Sequence, residues 1–126
     1  MFEIGKNNII TMTQGNSAII DITPIDVETG EPIVLTDGDK ILFTIKTDCG
    51  VMKLQKELTK DDYSAPEDKS VNCVIHPKDT INWKIGEYLY DCLLITDGGD
   101  AITFISSTFK LLRALGKISD VGDNNG

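Results

Sequence analysis

Between residues 86 and 112 the chain runs Gly86-Glu87-Tyr88-Leu89-Tyr90-Asp91-Cys92-Leu93-Leu94-Ile95, then Thr96-Asp97-Gly98-Gly99-Asp100, then Ala101-Ile102-Thr103-Phe104-Ile105. Two runs of strand-forming residues flank a turn of Asp and Gly, the pattern of a long β-hairpin. The remainder of the chain supplies partners for it. Thr, Ile, Val and Phe dominate, no stretch keeps a helical period, and apolar positions mostly alternate as they do in half-buried strands.

Residues 8–13 form a short first strand, closed by Gln14-Gly15-Asn16. Residues 17–25 put Ala18, Ile20 and Ile22 on one face and Ile19 and Asp21 on the other, with Pro24 ending the strand or placing it at an edge. Residues 26–31 make a turn around Gly30. Residues 40–47 alternate with Ile41, Phe43 and Ile45 inward. Asp48-Cys49-Gly50 turns the chain, Gly50 being the residue suited to a positive φ. Residues 51–58 return with Met52, Leu54 and Leu58 on one face and Lys53, Gln55 and Glu57 on the other. Residues 59–69 are polar and acidic and contain Pro66, so they read as the longest loop. Residues 71–75 place Val71, Cys73 and Ile75 together, after which His76-Pro77-Lys78-Asp79-Thr80 turns the chain, with Asp79 or Thr80 able to cap one helical turn. Trp83 and Ile85 are expected to close the bottom of the core.

The count is about seven antiparallel strands, and Gly86-x-Tyr88-x-Tyr90 resembles the tyrosine corner at which a Greek-key sandwich crosses between sheets. The expected fold is therefore all-β, an immunoglobulin-like Greek-key β-sandwich over residues 1–113. Residues 114–126 end in Gly122-Asp123-Asn124-Asn125-Gly126, too polar to pack, and read as a C-terminal tail or linker.

Composition narrows the functions. At 126 residues the chain is one domain, and its 40% apolar and 25% charged residues are those of a folded protein. Twenty acidic against twelve basic residues give a net charge of −8, which argues against nucleic acid, whose phosphates call for clustered Lys and Arg. No apolar run approaches the roughly 20 residues needed to cross a bilayer. Met1-Phe2-Glu3-Ile4-Gly5-Lys6 has neither a basic segment nor a long apolar one, so no signal peptide is expected. Cys49, Cys73 and Cys92 are an odd number, and the strand of residues 17–25 lacks the cysteine with which Cys92 would form an immunoglobulin disulfide. Free thiols packed as small hydrophobes are the expectation.

Catalytic signals are weak. His76 is the lone histidine, and the spacing of three from Cys73 along a strand puts the two on opposite faces. Asp37-Gly38-Asp39, Asp97-Gly98-Gly99-Asp100 and Asp120-Val121-Gly122-Asp123-Asn124 lack the calcium-loop register, and Asp and Gly suit turns for backbone reasons alone. Asp61-Asp62 and Glu67-Asp68 lie in the polar loop, where they would be solvated. No enzyme, no cofactor and no metal site is expected. Tyr63, in that loop, is the aromatic placed to anchor a partner, with Asp61, Asp62 and Glu67 around it. A carbohydrate-binding face would need exposure of Trp83, Tyr63, Tyr88 or Tyr90; Trp83 and at least one of Tyr88 and Tyr90, which share one strand face, are better suited to the core.

The order of Gln14-Gly15-Asn16-Ser17, Thr29-Gly30-Glu31-Pro32-Ile33-Val34-Leu35, Gly38-Asp39-Lys40-Ile41-Leu42-Phe43-Thr44-Ile45-Lys46, Ile75-His76-Pro77-Lys78-Asp79-Thr80, Gly86-Glu87-Tyr88-Leu89-Tyr90-Asp91, and Ile102-Thr103 through Phe109 resembles the N-terminal immunoglobulin-like domain of upper baseplate proteins from phages and prophages of Gram-positive bacteria. The resemblance covers roughly residues 8–112. It implies a non-enzymatic structural or docking module of a phage tail or baseplate, located in the virion. It would contact other tail or baseplate proteins and assemble as a homo-oligomer, without nucleic acid or membrane. A carbohydrate- or cell-surface-ligand-binding sandwich module is the alternative.

Overall fold

The computed structural model describes residues 2–4, 8–26, 28–65, 67 and 69–114. The alternation read from the sequence becomes strands: β1 (Phe2–Ile4), β2 (Ile10–Thr13), β3 (Ala18–Ile22), β4 (Lys40–Lys46), β5 (Met52–Leu58), β6 (Val71–Ile75), β7 (Gly86–Ile95) and β8 (Ala101–Leu112). One helical turn, α1 (Pro77–Thr80), separates β6 from β7, and Lys60–Asp62 form a 3-10 turn. The chain is all-β. Seven of these strands are the seven expected, and β1 is an eighth that the polar start of the chain did not announce. Of the expected C-terminal tail, residues 115–126 lie outside the described residues.

Six strands form one sheet in the order β1-β2-β8-β7-β4-β5, while β3 and β6 pair as a separate two-stranded ribbon. All pairings are antiparallel except β2 with β8, which run parallel with Ile10 beside Phe109 and Thr13 beside Leu112. The expectation of an antiparallel sandwich did not include this pair. Between the ribbon and the sheet lies one core. Ile20, Ile22, Val71, Cys73 and Ile75 come from the ribbon, and Ile10, Met12, Ile41, Phe43, Ile45, Tyr90, Cys92, Leu94 and Phe109 from the sheet. Each of the larger side chains stabilises the fold by roughly 1.5–3 kcal/mol through burial.

Two β-bulges alter faces that simple alternation predicts. Ile45 pairs with Leu54 but Lys46 pairs with Met52, so Lys53 is an extra residue on β5. One inserted residue moves what lies beyond it to the other face. Met52, expected inward beside Leu54 and Leu58, is therefore turned outward and is 54% exposed. Lys53 sends its ammonium over the Trp83 ring, 5.6 Å from the centroid. On β8, Cys92 pairs with Ile105 and Leu93 with Thr103, so Phe104 is the extra residue and Ile102 lies opposite Leu94 on the core face.

At the end of the core where β7 begins, polar groups fasten it. The Tyr88 hydroxyl donates to the Lys84 carbonyl at 2.5 Å, a bond to backbone a few residues upstream as in a tyrosine corner. The Tyr90 hydroxyl reaches the Asn8 carbonyl at 2.5 Å, tying the N-terminal segment to the sheet. Trp83 is half-buried against Tyr88 and Phe109, with ring centroids 5.2 and 6.3 Å away. Ile85, expected to share that role, is exposed instead. The Gln14 amide donates to the carbonyls of Trp83 at 2.6 Å, Ile81 at 3.0 Å and Thr80 at 3.3 Å, satisfying acceptors that α1 leaves open. Beside it the Gly15 N–H donates to the buried Thr80 hydroxyl at 3.0 Å. Gly15 has φ +79°, and a Cβ there would meet the Ile81 Cδ1 at 2.9 Å. Gln14→Ala leaves the partly buried Trp83 carbonyl without its donor, while the Thr80 carbonyl keeps the Trp83 N–H, and is expected to cost about 1–3 kcal/mol. Urea unfolding should show a lower midpoint at unchanged slope.

Candidate docking surface

At the opposite end from Trp83, the turns before β4, after β5 and after β7 gather a group of carboxylates. The link between them is Asp39. Its Oδ2 accepts from the Thr36 N–H and the Thr36 hydroxyl, both at 2.9 Å. Its Oδ1 accepts from the Asp97 N–H at 2.8 Å, joining the turn before β4 to the turn after β7. The Thr36 N–H, the Asp97 N–H and the Thr36 hydroxyl, in that order, hold the Asp39 carboxyl below its ordinary value. Gly38 permits this docking: φ is +88°, and a Cβ there would lie 2.1 Å from Asp97 Oδ1. The requirement for glycine in the Asp37-Gly38-Asp39 turn is thus steric as well as conformational.

Residues 59–62 form the neighbouring wall. The Thr59 hydroxyl accepts from the Asp61 N–H at 3.3 Å, and Asp62 Oδ2 accepts from the Thr59 N–H at 2.7 Å, a reciprocal capping box. The Lys60 ammonium meets Asp37 Oδ1 at 2.7 Å, and that bond raises the lysine above its ordinary value. Lys40 and Glu57 sit 3.7 Å apart. Both pairs are exposed and add little to stability. Between these walls lies an open hollow of about 430 Å³, lined by Thr36, Asp39, Glu57, Lys60 and Asp61 among others.

The structure distributes the residues expected to bind a partner unevenly. Asp61 is exposed and lines the hollow. Asp62 is partly covered and engaged as a cap. Tyr63 was expected to be an exposed anchor; it is half-buried against the core, and its hydroxyl accepts from the Leu35 N–H at 3.0 Å. An isolated bridge to Val71 fixes its backbone beside the ribbon. Glu67 is exposed but does not line the hollow, and Asp68 and Pro66 lie outside the described residues. What the sequence reading missed is the wall from the other side: Asp37 and Asp39 were visible as turn residues, but only the fold places them beside Lys60 and Asp61.

The groups capable of chemistry are held in other roles. Cys73 and Cys92 are buried, and burial pushes each thiol up to about 12, far from a reactive thiolate. Cys49 is exposed at the β4–β5 turn, and all three thiols are free. His76 is exposed at the start of α1 while Cys73 faces the core, on the opposite faces that their spacing implied. Asp79 Oδ2 accepts from the His76 N–H at 2.8 Å and meets the Lys56 ammonium at 3.0 Å. Desolvation raises the Asp79 carboxyl, but the His76 N–H and the lysine outweigh it and hold it below its ordinary value. Among the described residues no three His, Cys, Asp or Glu side chains are grouped to hold a metal ion.

A carbohydrate-binding face would need an exposed aromatic platform. Tyr88 and Tyr90 are buried, and Trp83 is half-covered with Lys53 above it. The polar hollow beside the ribbon, lined by Asp21, Ser64, Lys69, Ser70 and Asn72, contains no aromatic ring. No helix of the described residues is long and apolar enough to cross a membrane.

Asp39 and Asp79 imply a sign for the effect of acid. A carboxyl held below its unfolded value stabilises the fold above that value and loses the contribution as pH falls through the folded one. Urea midpoints should therefore fall as pH drops below about 4. The double variant D39N/D79N should be less stable at pH 7 and show a shallower fall below pH 4.

No protein-family model matches this chain, and no curated protein matches it either. Among solved structures it is similar to the N-terminal domain of phage TP901-1 ORF48, at 14% identity and a TM-score of 0.48, over 82% of this chain and 81% of that one.

Proposed function

We propose that this protein is a non-enzymatic structural or docking module of a phage or prophage tail or baseplate, acting through contacts with neighbouring proteins. The observation that carries this reading is how its reactive groups are used. Asp39, Asp62 and Asp79 accept backbone N–H groups, Cys73 and Cys92 are core, and His76 begins a helical turn. The exposed surface includes open hollows, polar and apolar, and sheet edges, surfaces suited to other proteins rather than to an enclosed substrate. The ordered motifs over residues 8–112 that resemble baseplate domains supply the tail assignment. Repetition of the module on a symmetric tail would let individually weak contacts suffice.

The same reading makes the sandwich immunoglobulin-like in order. β3 and β6 stand as the second and fifth strands in one sheet. β8, β7, β4 and β5 stand as the last, the sixth, the third and its neighbour in the other. Beside β6, where a further strand would lie, Tyr63 makes an isolated bridge to Val71. Purified particles should contain the protein, and immunogold labelling should place it on the tail. Particles without it, from a host that expresses it, would overturn the reading.

A further inference from the structure

Charge is divided along the strands. The start of β4, the end of β5 and the β7–β8 turn meet at one end of the sheet. Glu28, Asp37, Asp61, Asp97 and Asp100 are exposed there, while the lysines of that end, Lys40 and Lys60, already pair with Glu57 and Asp37. The other end, where β4 and β8 finish and β7 begins, exposes Lys46, Lys53, Lys78, Lys84 and Arg113. No carboxylate pairs with any of these five among the described residues. A net charge of −8 thus combines a strongly acidic end with a basic one.

Each end also exposes apolar side chains. At the acidic end Ile25 and Ile102 stay 37% and 45% exposed. With Leu94 and Phe104 they line an apolar groove of about 250 Å³, and Asp26 and Glu28 belong to its wall. At the basic end the turn between α1 and β7 presents Ile81 and Ile85, 53% and 39% exposed, with the exposed Lys84 beside them in the chain.

We infer that this protein associates head to tail, the 81–85 turn of one copy docking on the groove at Ile25 and Ile102 of the next. Charge complementarity selects this occupant. Lys84 would come beside Asp26 and Glu28, while Ile81 and Ile85 would meet the apolar lining. Two acidic ends brought together would repel, and two basic ends would leave the groove uncovered. The overall repulsion between copies acts at distances that physiological salt screens beyond about 8 Å, whereas the opposite charges meet in contact. Such a contact is heterologous, so each copy keeps a free end and the series closes as a ring or grows as a filament. The inference rests on the docking reading and names one partner, a further copy of this chain.

Sedimentation velocity of the full chain should show association that rises from micromolar to millimolar concentration and passes beyond two copies. Over the same range the methyl signals of labelled Ile81 and Ile85 should shift together with those of Ile25 and Ile102. Ile102→Arg places a cation in the groove, and Lys84→Ser with Ile85→Thr strips the turn; all three positions are exposed. Each variant should keep the melting temperature within a few degrees and weaken association at least tenfold. An equimolar mixture of the two should form a dimer and stop there, because one intact groove then meets one intact turn. A wild-type chain that stays monomeric at millimolar concentration, or stops at a dimer, would overturn the inference. So would shifts at the groove alone, or a mixture that associates no more tightly than either variant. Should either variant unfold, the wild-type shifts still decide the case. Particle labelling is decided separately: a protein absent from virions can still assemble head to tail, and one present in them can be monomeric in solution.

Discussion

A ribbon two strands wide faces a sheet six strands wide, and the rest of the surface follows from that mismatch. Burial favours covering every apolar side chain on the inner face of the sheet, but β3 and β6 reach only its middle. The remaining area is covered piecemeal. At the Trp83 end, the indole packs on Phe109 and Tyr88. At the acidic end, Leu35 and the half-buried Tyr63 close the gap beside β6. Over the start of β8 nothing among the described residues completes the cover, which is why Ile102 remains partly open to solvent.

Short polar segments outside the regular ladder take side-chain partners for their backbone groups. Asp39, Asp62 and Asp79 provide that service at three turns, and the Gln14 amide provides it for the carbonyls around α1. The net acidity of the chain is thus partly a structural property. Several of its carboxylates are acceptors in a fold short of regular pairing, not sites waiting for a ligand.

The sequence made the strands legible wherever one face is buried and the other wet. Ala18, Ile20 and Ile22, and likewise Ile41, Phe43 and Ile45, declare their faces by spacing alone, and the structure buries them as expected. Alternation loses its meaning past an inserted residue, and nothing in the composition around Lys53 or Phe104 marks them as insertions; Met52 was misplaced for that reason. β1 and the parallel pairing of β2 with β8 depend on contacts between distant segments, which spacing does not encode. The surface was legible in part. The loop holding Asp61 was identified from its polarity, but Tyr63 looked free because its hydroxyl partner, the Leu35 N–H, lies 28 residues away.

The turn at Asp48-Cys49-Gly50 has a practical consequence. Cys49 is exposed, while Cys73 and Cys92 are sealed in the core with thiols pushed up to about 12. A maleimide at neutral pH therefore has one address on the folded domain. That address lies at the far end of β4 from the carboxylate turns, a span of roughly 20 Å at the usual strand rise. A dye or metal cluster attached there would mark the orientation of each copy in a larger particle without touching the acidic end.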